Sequence, residues 1–268
     1  MKAARIHAHG GPEVIRIDDV PIPSGDTLIK VAATSYNPTE LAVRAGMFRI
    51  DLPHTLGWDL AGEVDGDPVI GFVDSGAAAE FATAPADRIV PAPKNIPLHH
   101  AAAIPLAGLT AYQVVQDVEA GQRVLINGAG GGIGSFAVQL AKHKGAHVIA
   151  TASPRGIDSV QRYGADEIID YTKQVPTKPA DVMIHLVGTP PPWTPPAPEV
   201  ITAAAQFPGA RHIVMRYSED HLSTLVSLVE AGVITVDVTE SYPLAAMAEV
   251  HRKGEAAAFH GKVTIVMP

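Results

Sequence analysis

The sequence contains no cysteine among its 268 residues. Disulfide bonds, thiolate catalysis and every cysteine-ligated metal site are therefore excluded. It also lacks an apolar run of membrane-spanning length, because Pro105 and Gly108 interrupt the longest one. The first residues have no apolar core of the kind found in signal peptides. From these absences we expect a cytoplasmic protein without a membrane partner.

Basic charge is also in short supply. The formal net charge is −8 and is spread without long runs of one sign, so a nucleic-acid partner is not indicated. The 12 histidines show no spacing of the HExxH kind, and we predict no metal site. No Gly-x-Ser-x-Gly elbow is present either, so hydrolase chemistry lacks support.

A glycine-rich turn between a strand and a helix is the most informative stretch of the chain. The apolar run at 124–126 predicts a buried strand, and a second strand is predicted at 147–152. Between them, apolar residues recur with the helical period at Ile133, Phe136, Ala137, Leu140 and Ala141. Gly145 follows this helix where a left-handed cap residue is expected. The pattern predicts a β-α-β unit with glycines in its first turn.

The turn itself, residues 129–134, reads A-G-G-G-I-G and is a variant of the dinucleotide-binding G-x-G-x-x-G pattern, with Ala129 in the first glycine position. Such a turn binds pyrophosphate because the free N–H groups and the dipole of the helix start attract the anion. A lone glycine motif is weak evidence, but this one lies between a strand and a helix, as the mechanism requires. The alternative is a glycine-rich surface loop, which the periodicity of both flanking elements disfavours.

The second strand indicates which dinucleotide binds. NAD sites commonly carry Asp or Glu about 20 residues after the glycines, where it holds the ribose 2′-hydroxyl. No acidic residue occurs between Gly134 and Ile157, and the strand ends in Ser153-Pro154-Arg155. A hydroxyl and a guanidinium suit a 2′-phosphate, so NADPH is the predicted cofactor. Ser153 also suits a helix N-cap, and the two roles are compatible.

The rest of the chain falls into a strand-rich part and an alternating part. Up to Val90, short strands separated by turns predict a small β-barrel-like domain. From His99 onward, helices and strands alternate, which is typical of a doubly wound parallel sheet. A proline run at 189–198 interrupts the alternation, and we predict an extended connecting loop there in preference to an interaction segment or a lid.

These features together resemble the zinc-independent quinone oxidoreductase, or zeta-crystallin, branch of the medium-chain dehydrogenase/reductase superfamily. The residues that carry the resemblance lie in the family's order: Gly10-Gly11-Pro12-Glu13-Val14, Asn37-Pro38, Gly57-Trp58-Asp59, Leu109-Thr110-Ala111, Gly128 to Gly134, Gly164-Ala165-Asp166 and Gly261-Lys262. The resemblance implies an α/β protein, with a Rossmann doubly wound parallel sheet and a β-rich, barrel-like (GroES-like) catalytic domain. It implies a catalytic domain at residues 1–105 and 236–268 and an NADPH-binding Rossmann domain at 106–235.

Candidate site residues are carried over from the same resemblance. Asn37 and Thr110 are implied at the nicotinamide end of the catalytic centre, and the adjoining Tyr36 is a candidate acid. His54 and Trp58 flank the segment that the family places near the substrate, and a structural packing role for them stays open. The implied cofactor-binding set is Asn37, Thr110, Gly128, Gly131, Gly132, Ile133, Ser153, Arg155, Tyr171 and Val187. A homodimer is a further family expectation.

The sequence departs from relatives at three places. The zinc-dependent branch has Gly-His-Glu where this chain has Gly57-Trp58-Asp59, so neither zinc ion of that branch is expected. A tyrosine found in some relatives is Ala42 here, and an aspartate common at the end of a later strand is His185. A tyrosine acid is therefore not expected at position 42.

We therefore predict an NADPH-dependent, zinc-independent oxidoreductase that reduces quinones or α,β-unsaturated carbonyls, which are small-molecule substrates, by hydride transfer. Two alternatives remain open. One is a reductase of ordinary ketones or aldehydes, and the other is an NADPH-binding sensor or structural protein without turnover.

Overall fold

The computed structural model describes residues 1–268. Contacts within the chain divide it into two units. The first comprises residues 1–106, 217–230 and 238–268, and the second comprises residues 107–216 and 231–237. None of the helices combines the length and the apolar character that a membrane crossing requires.

The regular elements are short, and most are strands. In chain order the strands are β1 (Lys2–Ile6), β2 (Ile15–Asp19), β3 (Thr27–Ser35), β4 (His54–Thr55), β5 (Asp59–Val64), β6 (Asp67–Phe72), β7 (Phe81–Ala84), β8 (Ile89–Pro91), β9 (Arg123–Asn127), β10 (His147–Ala152), β11 (Glu167–Asp170), β12 (Val182–His185), β13 (Glu199–Thr202), β14 (Arg211–His212), β15 (Val238–Pro243) and β16 (Lys262–Val266). The helices are α1 (Thr39–Arg44), α2 (Leu98–Ala101), α3 (Pro105–Val114), α4 (Gly132–His143), α5 (Ile157–Arg162), α6 (Glu219–Glu230) and α7 (Met247–Glu255).

The first unit is built on two sheets. Its larger sheet has seven strands, in the order β15-β16-β3-β5-β6-β8 with β7 also pairing with β3. The smaller sheet has the order β2-β1-β4. Pairing is antiparallel except between β15 and β16. The β-rich architecture predicted for this part of the chain is confirmed.

Helix α6 groups with the first unit, whereas the sequence placed it within the 106–235 domain. Its end is tied to the segment after β8, because Asn95 Nδ2 donates to the Val229 carbonyl at 2.9 Å and the Lys94 N–H donates to Glu230 Oε1 at 3.1 Å. An amphipathic pattern at residues 220–231 predicts this helix correctly. It does not reveal which unit the apolar face of the helix meets.

The second unit is built on one sheet of six parallel strands, in the order β11-β10-β9-β12-β13-β14. Counted from β9, this is the 3-2-1-4-5-6 order of a Rossmann sheet. Strands β10 and β12 are buried along almost their whole length, as expected for strands in the middle of a covered parallel sheet. The predicted parallel sheet is confirmed.

Helix α4 follows the sequence prediction closely. Its predicted apolar face is buried at Phe136, Ala137, Leu140 and Ala141. Gly145 then adopts a φ of +83°, the left-handed conformation expected of the residue that ends this helix. The intervening residues Ser135, Val138 and Gln139 are buried as well, so α4 is covered on more than its predicted face.

The proline run forms a crossover without a helix between β12 and β13. Adjacent parallel strands need a crossover of a dozen or more residues, which is usually helical. Here Trp193 and Ala197 pack against a core cluster that comprises Leu125, Ile149, Ala180, Met183 and Val200. The run therefore covers the sheet as the predicted connecting loop, but bends at 192–193 and 196–198 interrupt it, so it is not extended throughout.

Two strand predictions in this unit need correction. Strand β13 was not predicted, because only Val200 and Ile201 form an apolar signal between the prolines and a run of alanines. The sequence at 211–217 predicts a strand, and this is wrong beyond His212, since β14 contains only Arg211 and His212. It lies at the edge of the sheet, where the short β13 is its sole partner.

Candidate functional site

Most of the predicted cofactor residues of the second unit collect at the carboxyl edge of its parallel sheet. The glycine turn follows β9, Ser153 follows β10, Tyr171 follows β11, and Val187 lies just beyond β12. Open α/β sheets bind ligands outside the carboxyl ends of their strands, where the strand order reverses. That reversal falls between β9 and β12 here.

The glycine turn presents free backbone donors. The N–H groups of Gly132, Ile133 and Gly134 open α4 and have no acceptor, whereas the Ser135 N–H donates to the Gly131 carbonyl at 2.9 Å. Of the other predicted donors, the Gly131 N–H is already bonded to the Gly128 carbonyl at 3.1 Å. Free N–H groups at the positive end of a helix dipole are what an anionic pyrophosphate requires. Gly132 and Ile133 are thus available for it, while Gly131 shapes the turn.

Close packing requires glycine at position 134 and brings two other glycines together. A Cβ on Gly134 would lie 2.6 Å from Ala129 Cα, closer than such contacts occur, so only glycine allows α4 to pack on the end of β9. Gly130 and Gly156 face each other, because a Cβ on Gly156 would lie 3.5 Å from Gly130 Cα. The turn that carries Ser153 and Arg155 therefore lies directly beside the glycine turn.

The side chains around this edge are open to solvent. Arg155 and Tyr171 are exposed, Ser153 is half-buried, and Val187 is 38% exposed. The nearby Asp170 carboxylate accepts from Thr172 Oγ1 at 2.6 Å and pairs with Lys173 at 3.0 Å. The charge of Asp170 is thereby countered, and the phosphate-binding role of Arg155 stays a prediction.

In the first unit, Asn37 lies in a buried polar network. Its Nδ2 donates to Asp59 Oδ2 at 2.8 Å and to the Ser35 carbonyl at 3.4 Å, and its Oδ1 accepts from Lys262 Nζ at 2.9 Å. The other carboxylate oxygen of Asp59 accepts the Leu106 N–H, in the first turn of α3, at 2.7 Å. Both amide donors of Asn37 are therefore used, and a ligand could bind its side chain only through the second lone pair of Oδ1.

Burial dominates the electrostatics of this network. Burial raises the pKa of Glu40 to about 7, and the N–H donors of Asn37 and Gly57 offset this only in part. Burial likewise lowers the pKa of Lys262, while the carboxylates of Asp59 and Glu40 oppose the shift. Lys262 Nζ lies 3.8 Å from Asp59 Oδ2. A buried lysine and aspartate thus compensate each other around Asn37.

The remaining predicted catalytic residues are well buried. Tyr36 is 7% exposed and packs in the apolar core with its ring 5.5 Å from that of Phe259. Its pKa is raised, chiefly by burial and then by Glu40. Thr110 lies on α3 in the second unit and is 4% exposed. The catalytic roles of Tyr36, Asn37 and Thr110 stay predictions.

His54 and Trp58 flank Gly57, which has a φ of +90°. His54 is half-buried on β4, and burial lowers its pKa. Trp58 packs edge-on against Phe72 with ring centres 6.3 Å apart. A cavity of about 280 Å³ lies under the proline run and is lined by Trp193 and Phe207, but by none of the predicted site residues. The substrate-pocket role of His54 and Trp58 stays a prediction.

Known proteins match the chain over its whole length. Residues 23–94 match the alcohol dehydrogenase GroES-like domain, and residues 132–195 match the zinc-binding dehydrogenase family. The chloroplast envelope quinone oxidoreductase homolog of Arabidopsis thaliana is 36% identical over 202 residues, which cover 64% of this chain and 61% of that protein. The NADPH-dependent alkenal/one oxidoreductase of the same plant is 32% identical over 311 residues, with 99% and 79% covered.

A solved structure agrees with these matches. The quinone oxidoreductase from Coxiella burnetii superimposes with a TM-score of 0.91 at 27% identity, with 100% of this chain and 99% of that one covered. The chain belongs to the quinone oxidoreductase branch of the medium-chain dehydrogenase/reductase superfamily. The family match includes zinc-binding dehydrogenases, yet in this member no group of three or more His, Asp or Glu side chains is arranged to hold a metal ion. Zinc independence stays a prediction.

Sequence reasoning missed two polar networks in this member of the quinone oxidoreductase branch. One joins Asn37, Asp59 and Lys262, and the other joins Asn127, Thr151 and His185. A signal was present, because Lys262, Asn127 and His185 each stand at one end of a short strand, directly beside an apolar residue. A polar residue in that position is buried by its neighbours and must find a partner.

Proposed function

We propose that the chain is an NADPH-dependent oxidoreductase that reduces quinones or α,β-unsaturated carbonyls without zinc. The observation that carries this proposal is the glycine turn, whose free N–H groups at Gly132, Ile133 and Gly134 lie beside the turn of Ser153 and Arg155. The Arabidopsis relative that aligns with 99% of the chain is described as NADPH-dependent and as acting on alkenals and alkenones, which supports the same cofactor and acceptor class.

The residues at the carboxyl edge fit NADPH. The free N–H groups suit the pyrophosphate, and Ser153 and Arg155 suit the 2′-phosphate that distinguishes NADPH from NADH. Gly130 and Gly156 leave the backbone between these two subsites without side chains. Tyr171 is exposed at the end of the neighbouring strand, on the side proposed for the adenosine. When bound, NADPH supplies the hydride.

The acceptor class follows from what the first unit offers near Asn37. Tyr36 is in the core, and Glu40 is 2% exposed with both carboxylate oxygens bonded to backbone N–H groups. Reduction of a simple ketone creates a localised alkoxide, which needs a placed acid or another electrophile. A conjugated enone or quinone delocalises the charge into an enolate or phenolate, and water then supplies the proton. The residues around Asn37 suit the second case.

The decisive experiment compares matched acceptors. NADPH oxidation would be measured with 2-cyclohexenone, with cyclohexanone, which differs only by the missing conjugated double bond, and with 1,4-benzoquinone. We expect turnover of the enone and the quinone and much weaker activity on the saturated ketone. A preference for cyclohexanone would indicate an ordinary carbonyl reductase. NADPH binding without oxidation by any acceptor would indicate a sensor or structural protein. The cytoplasmic location and the homodimer stay predictions.

A further inference from the structure

A chain of buried hydrogen bonds runs beneath the glycine turn and joins the ends of three strands. The Gly128 N–H donates to Thr151 Oγ1 at 3.1 Å, and Thr151 Oγ1 donates to Asn127 Oδ1 at 2.7 Å. Asn127 Nδ2 lies 2.9 Å from His185 Nδ1, and His185 Nε2 lies 2.8 Å from the Thr189 carbonyl. Thr151 and His185 are fully buried, and Asn127 is 8% exposed. This series of hydrogen bonds thus links β9, β10 and β12 to the first residue of the proline run.

The direction of every bond in this chain is fixed. The Thr189 carbonyl can only accept, so His185 Nε2 carries the proton. Burial lowers the pKa of His185, so the ring is neutral and Nδ1 is an acceptor. Nδ1 therefore faces the NH₂ group of Asn127, whose Oδ1 then accepts from the Thr151 hydroxyl. Because that hydroxyl proton is committed to Asn127, a lone pair of Oγ1 is left to hold the Gly128 N–H.

Gly128 is the first residue after β9 and begins the glycine turn. Its φ is +92°, a conformation that only glycine adopts readily, and its carbonyl accepts the Gly131 N–H that closes the turn. The Ala129 N–H is held at 3.2 Å by the carbonyl of the same Thr151. Both amides that begin the turn are therefore fixed by one residue, just before the free N–H groups of α4.

We propose that Thr151, Asn127 and His185 act as positioning residues that hold the glycine turn in the geometry that binds the cofactor pyrophosphate. This inference deepens the proposed function and rests on it. None of the three residues needs to touch NADPH. Thr151 acts on the turn directly, whereas His185 acts through Asn127 by orienting its amide. His185 also anchors the start of the proline run, so the run and the turn share one support.

The test compares threonine variants of matched burial. Thr151→Val removes the hydroxyl while keeping the shape of the side chain, and Thr151→Ser retains the hydroxyl. Thr202→Val is the control, because Thr202 is equally buried, lies on β13 of the same sheet and has a hydroxyl that bonds only Ala205. Two ligands would be titrated: NADPH, and 2′-AMP, which carries the 2′-phosphate but no pyrophosphate.

We expect Thr151→Val to raise the Kd for NADPH about tenfold, the effect of losing one buried hydrogen bond at the turn. Its Kd for 2′-AMP should stay unchanged, and Thr151→Ser and Thr202→Val should bind NADPH like the wild type. His185→Leu should weaken NADPH binding less than Thr151→Val. The double variant with Thr151→Val and His185→Leu should bind NADPH only slightly more weakly than Thr151→Val alone, because both substitutions interrupt the same series of hydrogen bonds.

Contrary outcomes separate this inference from the proposed function. If wild-type protein fails to bind NADPH, both are wrong. If the wild type binds NADPH but Thr151→Val binds it equally well, or loses NADPH and 2′-AMP affinity alike, the positioning role is wrong while the proposed function stands. Should Thr151→Val fail to fold, His185→Leu decides by the same two-ligand comparison, with Thr202→Val again as the control.

Discussion

At the scale of single residues, we predict that cofactor choice depends on Arg155. Replacing it with alanine removes one charge-assisted contact to the 2′-phosphate, worth about 1.5–3 kcal/mol, so the Kd for NADPH should rise roughly 10- to 100-fold. The Kd for NADH should change little, because NADH lacks that phosphate. Fluorescence titration of both cofactors measures this, with Arg162→Ala on α5 as the control. Equal affinity of the wild-type protein for NADPH and NADH would contradict the assignment.

Glu40 makes the stability of the first unit depend on pH. Its pKa is raised from 4.5 to about 7 in the folded protein, mainly by burial, so folding takes up a proton between these values. The stabilising contribution is fully present below pH 4.5 and is lost as the pH rises through about 7. Glu40→Gln serves as the reference, because its side chain does not titrate. The unfolding free energy of the wild type minus that of this variant should fall by on the order of 3 kcal/mol between about pH 4.5 and 8.

Urea unfolding of both proteins across this pH range measures the effect. Glu40→Gln loses one accepted hydrogen bond at every pH. The absolute difference in unfolding free energy between the two proteins therefore includes this loss, and the informative quantity is how that difference changes with pH. A difference that stays constant with pH would show that the carboxyl group of Glu40 is ionised at the same pH in the folded and unfolded chain.

Single residues also show which features can be predicted from the sequence and which cannot. The glycine turn was predictable because its donors, its glycines and its helix are contiguous in the chain. The partners of Asn37 were not, because Asp59 and Lys262 come from distant strands and no local pattern records which strands become neighbours. For that reason the sequence identified Asn37 as a candidate residue without revealing that both of its amide donors are already bonded.

At the scale of elements, the contact between α4 and β9 tolerates no side chain at Gly134. Replacing Gly134 with alanine would place a methyl group against the backbone of Ala129, so we expect a loss of about 1–3 kcal/mol in unfolding free energy from overpacking, together with weaker NADPH binding. Gly188→Ala is the matched control. A Cβ at Gly188 meets nothing within 4 Å, and its effect should stay within about 0.5 kcal/mol.

Thermal and urea unfolding of the two alanine variants would measure the difference. Equal stability would mean that α4 can move away from β9 at little cost. Element-level prediction succeeded for α4, missed β13 and made β14 too long, and one reason explains all three outcomes. A single periodic stripe specifies a helix, whereas short strands in the half of the sheet beyond β12 are recognised only once their neighbours are known.

At the scale of the whole molecule, we expect purified protein to contain no stoichiometric zinc and chelators to leave its activity unchanged. The chain has no cysteine, and Trp58 stands where the zinc-dependent branch has histidine, so the ligand set is incomplete. Elemental analysis, with activity assayed before and after chelation, tests this. One tightly held zinc ion per chain would contradict it and would make simple ketones plausible substrates.

The position of β16 has a consequence for synthesis. This strand, residues 262–266, lies between β15 and β3 in the larger sheet of the first unit, although β3 comes more than 200 residues earlier in the sequence. On the ribosome, residues 33–35 of β3 stay unpaired on that side until β16 has emerged, whereas residues 27–30 of the same edge can already pair with β7. An open strand edge is a template for wrong pairing. Nascent chains stalled shortly before residue 262 should therefore be the form that depends most on chaperones.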